Sequence, residues 1–444
     1  MRKAFKAFTY PDFRLMWAGA FTSSVGTWMQ EVAQNWLILT MTGSAFLLGL
    51  DAFLGDVPFL VFSLFGGVLA DRADRRKILL RSQYVQMGSA ALLAVLLLAG
   101  GVQVWMILTL SFVVGLAQSF GGPAYQALVP TLVDRKDLPN AVALNSIQFN
   151  LARVIGPVLA GIAFYKLGAA ACFGLNAFSF LAPIAALWFL KGGGGAVAPT
   201  EGILASLKTG LAAAWGAKAL RGLIVLSFIG SFCAMPLVTF LPIFARNVFH
   251  GDAKGYSVLL ACFGVGAIVG AFGVAAFGNV RRKGLLAVSM QMFFGALMTG
   301  FAISRTPLVS YVLLALAGGT LMIAFALFMT LVQSNVEDRL RGRVVSVYSL
   351  AFRGAMPLGN LVAGVLAGIF SAPTVLIGNG IVMVIVGAAA IVTGRGRVRP
   401  VSGPRLSWIC SGWRPRELTR APARHGTHPR QAPEGSPVST CGDS

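Results

Sequence analysis

Twelve apolar runs, each of about 20 residues or more, leave this chain few ways to fold outside a lipid bilayer. They fall at about 13–39, 45–70, 78–99, 104–129, 141–165 and 168–190, and again at 222–246, 255–277, 285–303, 308–332, 343–370 and 373–393. Polar or turn-forming breaks separate them, among them Asp71 to Lys77, Asp134 to Pro139, Arg281 to Gly284 and Glu337 to Arg343, with short turns at Gly100–Gly101 and Thr306–Pro307. Lipid offers no partner to an open backbone, so each run reads as a helix. The chain is therefore expected to be an all-α membrane protein with twelve transmembrane helices. Composition agrees: 56% of the 444 residues are hydrophobic and 11% are charged, which excludes a water-soluble enzyme.

The net charge of +21 would suggest nucleic acid if the cations were clustered, but they lie between apolar runs and in the tail, so no nucleic-acid partner is expected. Alternate loops hold twenty-one Lys and Arg against four on the opposite side (Lys166, Arg246, Lys254 and Arg305). The positive-inside rule then puts both termini in the cytoplasm, in agreement with an even number of spans, and the expected location is a plasma (bacterial inner) membrane. Arg2, Lys3 and Lys6 precede the first run as in a signal peptide. That run continues for some 25 residues without a small-x-small cleavage site, so it reads as a retained span. Five scattered cysteines form no CxxC pair, and neither a zinc site nor any cofactor is expected.

The first six runs resemble the second six. Gly67 to Lys77 matches Gly273 to Lys283 without a gap, and Asp134 to Gly161 aligns with Asp338 to Gly364 if one residue is skipped. Duplication of this kind places transport sites between two pseudo-symmetric bundles. The expected organisation is a bundle at 1–190, a linker at 191–221 containing an amphipathic surface helix, a second bundle at 222–394, and a disordered basic tail at 395–444 with nine Arg.

The loop Gly67-x-Leu-Ala-Asp71-Arg72-x-x-Arg75-Arg76 is similar to the signature loop of the major facilitator superfamily. Trp28 to Trp36, Leu241 to Arg246 with Gly255-Tyr256, and Asp338 to Arg343 resemble its branch of enterobactin and macrolide exporters. The resemblance covers about residues 5 to 394. It implies two six-helix bundles, a monomer, and proton-driven export of a small amphipathic molecule by alternating access. Two departures stand out: Asp74 replaces the loop's usual second glycine, and Ser111 stands where many proton antiporters of the superfamily carry an arginine. Independently of any family, Asp71 between two helices can accept hydrogen bonds from a helix N-terminus or pair with an arginine, forming a charged hinge.

Five charged residues fall inside apolar runs: Glu31, Asp51, Asp56, Arg153 and Arg353. Each costs about 2.5 to 3.5 kcal/mol at a helix centre, so these are the candidate functional groups. Asp51 and Asp56 lie about 140° apart on one helix and cannot share a partner. Given the architecture the resemblance implies, Asp56 is expected to pair with Arg353, and Arg153 to face Glu31. The run Arg153 to Gly161 is similar to the antiporter motif of the fifth span, with Gly156, Pro157 and Gly161 allowing close approach and bending. Aromatic and methionine residues such as Trp28, Met29, Trp36, Phe240 and Phe328 suit either an adaptable cavity or ordinary packing.

A pump would need a phosphate-cradling GxxxxGK[ST] loop, and an enzyme a nucleophile or metal cluster; none is present in the sequence. The remaining reading is a secondary transporter with a small-molecule substrate, the bilayer and protons as partners. Uptake of a hydrophobic nutrient is the alternative direction, and a scaffold or channel the weaker one.

Overall fold

The computed structural model describes residues 5–190, 203–276 and 282–393. The linker at 191–202, residues 277–281 in the stretch that matches the loop, and the tail after 393 lie outside the described residues, as do the surroundings of Gly67 and the side chains of Asp71 and Arg72.

Helices account for nearly all of what is described. α1 (Pro11–Thr42), α2 (Ala45–Arg72), α3 (Arg75–Leu98), α4 (Val104–Leu128), α5 (Leu138–Leu167), α6 (Ala169–Ser179) and α7 (Leu181–Phe189) make the first half. α8 (Ile203–Gly216) precedes α9 (Lys218–Ile243), α10 (Ala253–Ala276), α11 (Lys283–Ile303), α12 (Pro307–Ser334), α13 (Asp338–Ile369) and α14 (Ala372–Val392). Ten segments among the described residues are long and apolar enough to cross a membrane. α1 and α3 are not among the ten. α1 carries Asp12, Arg14, Gln30, Glu31, Gln34 and Asn35, and α3 opens on Arg75-Arg76-Lys77 and includes Arg81, so polar residues dilute their hydropathy.

α6 and α7 divide a single apolar run. Pro183 cannot donate to the Ser179 carbonyl and its ring crowds that group, so the helix breaks at Phe180. α9 ends in a π-helical turn, Phe244–Val248, where Phe249 N–H reaches back to the Phe244 carbonyl at 2.9 Å.

Lipid tails are as apolar as the helix faces, so close packing and hydrogen bonds hold such helices together rather than the hydrophobic effect. Gly115 of α4 rests on the Gly55 carbonyl of α2, and Gly266 of α10 on the Ala315 carbonyl of α12; a Cβ at either glycine would overlap that oxygen. The corresponding helix pairs of the two halves thus meet in the same way.

Three apolar cores result. One, at the end carrying the turns near Gly43, Gly168 and Ser371, joins side chains of both halves, including Trp36, Leu39, Leu48, Phe173, Phe240, Tyr256 and Ala367. At the opposite end the halves keep separate cores. One surrounds Phe13, Leu79, Leu128, Leu144 and Leu187. The other surrounds Leu223, Phe328, Leu331, Val344 and Tyr348. Met29, Trp36, Phe240 and Phe328 are buried and serve packing.

Candidate functional site

The halves meet chiefly where α2 packs on α13 and α5 on α10, and the intramembrane charges stand along these seams. Gly156 lets α5 press against α1 so closely that a Cβ there would overlap Trp28 Cβ, and one at Gly161 would meet Ser257 Cβ of α10 at 3.0 Å. α5 runs unbroken through Pro157, so this motif produces close approach on both flanks. Arg153, one turn before Gly156, consequently lies between rings from both halves, 5.4 Å from the centroid of Trp28 and 5.4 Å from that of Phe263. Its Nε is buried with no acceptor among the described residues.

A parallel arrangement places Arg353. Next to it, Gly354 brings α13 onto α2, where a Cβ would meet Leu60 Cδ1 at 2.7 Å, and the Arg353 guanidinium lies 4.6 Å from the Phe59 ring centroid. Asp56 is the charge that Arg353 feels most directly, yet the two make no ion pair within 4.0 Å among the described residues. The expected contact pair is instead an electrostatic neighbourhood, because the aromatic face of Phe59 holds the guanidinium. Arg153 and Glu31 stand in the same relation: Glu31 is the charge beside Arg153, and no ion pair within 4.0 Å joins them among the described residues.

Glu31, Asp56 and Arg353 are solvent-exposed on membrane helices. Glu31 nonetheless has Asp56, Arg153 and Asp51 as its charged neighbours, groups on two other helices. Such neighbours place Glu31 on the side of α1 that faces α2 and α5.

Asp51 is different. It is buried, with Oδ1 accepting from Ser111 Oγ at 2.6 Å and Oδ2 from Gln34 Nε2 at 2.8 Å, while Gln34 Nε2 also reaches Ser111 Oγ at 2.9 Å. Ser111, notable in the sequence for not being an arginine, is thus a partner of Asp51. The sequence carried a signal for Gln34: with Glu31 and Asn35 it forms a polar stripe at i, i+3 and i+4 on an apolar helix.

The seam at the joined end holds further polar contacts. Arg246, in the π-turn, donates to the Leu39 carbonyl at the end of α1 at 2.7 Å. Asn35 Nδ2 donates to Tyr256 Oη at 3.3 Å, and the Trp36 and Tyr256 rings stack at 6.4 Å. Gly43 follows with φ of 64°, a left-handed conformation that ends α1 at the seam.

In the signature loop, α2 continues to Arg72, so the residue directly preceding α3 is Asp74. Asp74 Oδ1 accepts from the backbone N–H groups of Arg76 at 3.0 Å and Lys77 at 3.4 Å. The cap on α3 is therefore Asp74. Arg75 and Arg76 clasp helix C-termini: Arg75 donates to the Ala127 carbonyl at 3.3 Å, and Arg76 to those of Leu190 and Trp188 at 3.2 and 2.9 Å.

Nearby, Asp137 at the start of α5 accepts from Tyr10 Oη at 2.8 Å and pairs with Lys6 at 3.0 Å. The Tyr10 hydroxyl, and after it Lys6, hold the Asp137 carboxyl below the usual carboxylate range, and the same bond raises the Tyr10 hydroxyl.

The model of a family described as transmembrane secretion effector matches residues 3–402. Macrolide efflux protein A of Streptococcus pyogenes is 23% identical over 360 residues, covering 80% of this chain and 89% of its own. Multidrug efflux pump Tap of Mycolicibacterium fortuitum is 28% identical over 384 residues, 84% of this chain and 93% of that one. Enterobactin exporter EntS of Citrobacter koseri is 27% identical over 341 residues, 77% and 82%. Among solved structures, the nucleoside transporter NupG superposes with a TM-score of 0.69 at 12% identity, over 86% of this chain and 98% of that one. A bacterial homolog of the human lysosomal transporter Spinster, inward-facing and occupied, gives 0.68 at 14%, over 88% and 97%. The protein is a multi-pass membrane transporter rather than an enzyme, and it belongs to the transmembrane secretion effector family of the major facilitator superfamily.

Proposed function

We propose that the protein exports a small amphipathic molecule by proton-driven alternating access. Twelve spans form two six-helix bundles at 1–190 and 222–394, with both termini cytoplasmic in a bacterial inner membrane and no second copy required. The observation that carries this reading is the solvent exposure of Glu31, Asp56 and Arg353, which marks a water-accessible space between two halves whose apolar cores join at one end only. Such a space opens to one side at a time if the joined end separates as the other closes. The names of the three relatives, a macrolide exporter, a multidrug pump and a siderophore exporter, favour outward transport.

In this reading Glu31 and Asp56 take up and release protons as water reaches them from alternate sides. Arg153 and Arg353, held by aromatic faces, supply the countercharges. Trp28 and Phe59 give the substrate's apolar part a surface beside the charges. Asp71 acts as the anion of the gating loop, with Gly67 and Arg72, while Arg75 and Arg76 brace the helix ends.

The test uses everted membrane vesicles energised by a proton gradient and offered a labelled macrolide, a siderophore and a cationic dye. Export is expected to fill everted vesicles with at least one of them, and a protonophore to abolish filling. Glu31→Gln and Asp56→Asn are expected to retain downhill movement but lose concentration against a gradient, and Asp71→Asn to lose transport with insertion intact. Filling of right-side-out vesicles alone would establish uptake instead.

A further inference from the structure

Between α8, α9 and α13 lies a groove of about 410 Å³ that the transport reading does not use. Its walls are Leu211 and Trp215 of α8, Ile224, Val225 and Phe228 of α9, and Val347, Leu350 and Ala351 of α13. Leu211, Trp215 and Val225 are about half exposed. α8 is held over α13 by Gly210, where a Cβ would meet the Arg343 carbonyl at 2.6 Å, so the groove has a fixed wall at the membrane surface.

The charges at its mouth identify an occupant. Lys218, Arg221, Val225 and Phe228 are spaced at i, i+3, i+7 and i+10, one stripe of α9 running from two cations into the apolar groove. Lys218 and Arg221 are exposed and make no ion pair among the described residues. On the opposite wall Arg343 stands one turn before Val347 on α13. Trp215 lies between the two zones, an indole suited to the boundary of headgroup and hydrocarbon. A ligand that matches this order has an anionic head and a long apolar chain, and it reaches the groove from within the bilayer.

We propose that this groove is a binding site for an anionic phospholipid, with its phosphate at Lys218 and Arg221 and an acyl chain along Val225, Phe228 and Ala351. The lipid fills the angle between the surface helix and α13 and so joins α8 to the second half. The site is independent of which substrate is carried and in which direction.

The experiment is native mass spectrometry of the purified full chain, in mild detergent, with equal amounts of phosphatidylglycerol and phosphatidylcholine of identical acyl chains. A surface cation contributes about fivefold in preference for an anionic lipid, so the wild type is expected to retain phosphatidylglycerol over phosphatidylcholine by roughly 30-fold. Lys218→Gln with Arg221→Gln is expected to bring that ratio to about 1. Val225→Trp, which fills the exposed side of the groove and leaves the cations in place, is expected to lower retention of both lipids with the ratio kept. Monodisperse elution establishes that each variant folds. Equal retention of the two lipids by the wild type would overturn the site, as would unchanged retention in Val225→Trp, the signature of charge attraction without a groove. Increased lipid retention after truncation at Gly394 would also overturn it, by making the chain's own tail the occupant.

Discussion

At the end carrying Gly43, Gly168 and Ser371, side chains of both halves interlock around Trp36 and Tyr256, whereas at the end carrying Asp74, Asp137 and Ala217 each half closes on a core of its own. The polar contacts differ in the same sense. At the joined end Arg246 and Tyr256 bond across to α1. At the other end the hydrogen bonds of Asp74, Arg75, Arg76 and Asp137 given above run to groups of their own half. One end therefore consists of contacts between the halves that can part without unfolding either, and the other of contacts that hold each half together. A rocking mechanism needs both kinds, and this chain places them at opposite ends.

The largest effect is expected at the joined end. Arg246→Ala removes a charged donor from the Leu39 carbonyl, a bond of a kind that contributes about 1.5 to 3 kcal/mol. The balance between closed and open states is expected to shift by roughly 10- to 100-fold. Labelling of a cysteine at Asn35 by a membrane-impermeant maleimide from the outer side checks it. Unchanged labelling would remove Arg246 from the closure.

Gly49→Val attacks the same end sterically. A Cβ there would overlap the Asn360 carbonyl and stand 3.0 Å from Gly364 Cα, separating α2 from α13. Overpacking of about 1 to 3 kcal/mol is expected to fall on the closed state, raising the same labelling with little change in melting temperature.

The separate end should respond in stability rather than in balance. Arg76→Ala frees the Leu190 and Trp188 carbonyls and is expected to lower the melting temperature by about 2 °C while leaving the Asn35 labelling rate as in the wild type. A large change in labelling would mean that this end also takes part in closure.

The smallest effect concerns pH. Asp137 has its carboxyl held below the ordinary value, so its contribution is present above the unfolded pKa of about 3.9 and is lost as pH falls through the lower folded value. Tyr10→Phe removes the first cause of that depression, so stability above about pH 4 is expected to fall slightly, acid unfolding to begin at a slightly higher pH, and the difference from the wild type to close at the lowest pH. Circular dichroism between pH 5 and pH 2 measures it.

The sequence marks most helices, because hydrophobic length is a local property: the apolar run 141–165 lies inside α5 and 373–393 nearly coincides with α14. Hydropathy reports the part of a helix in lipid, however, and so misses where α13 continues back to Asp338 through Arg341 and Arg343 into the polar surface. The five intramembrane charges were legible by their cost alone, but their partners were not. Asp51 meets Gln34 and Ser111 from helices 17 and 60 residues away, and Arg153 rests on Phe263 across the seam. Those neighbours are fixed by how α1, α4 and α10 pack, which no residue spacing records. Asp74 illustrates a nearer miss: capping depends on where α2 ends, and with that boundary at Arg72 the residue before α3 is Asp74.

The central claim is that the two ends alternate, and distances between spin labels measure it directly. One label pair, at Thr40 and Lys254, reports the joined end, and a second, at Leu69 and Ser346, reports the separate end; both use a background with the native cysteines replaced. With substrate and a proton gradient, the Thr40–Lys254 distance is expected to lengthen while the Leu69–Ser346 distance shortens, in the same fraction of molecules. Two distances that rise together, or a joined end that stays closed while transport proceeds, would contradict the account.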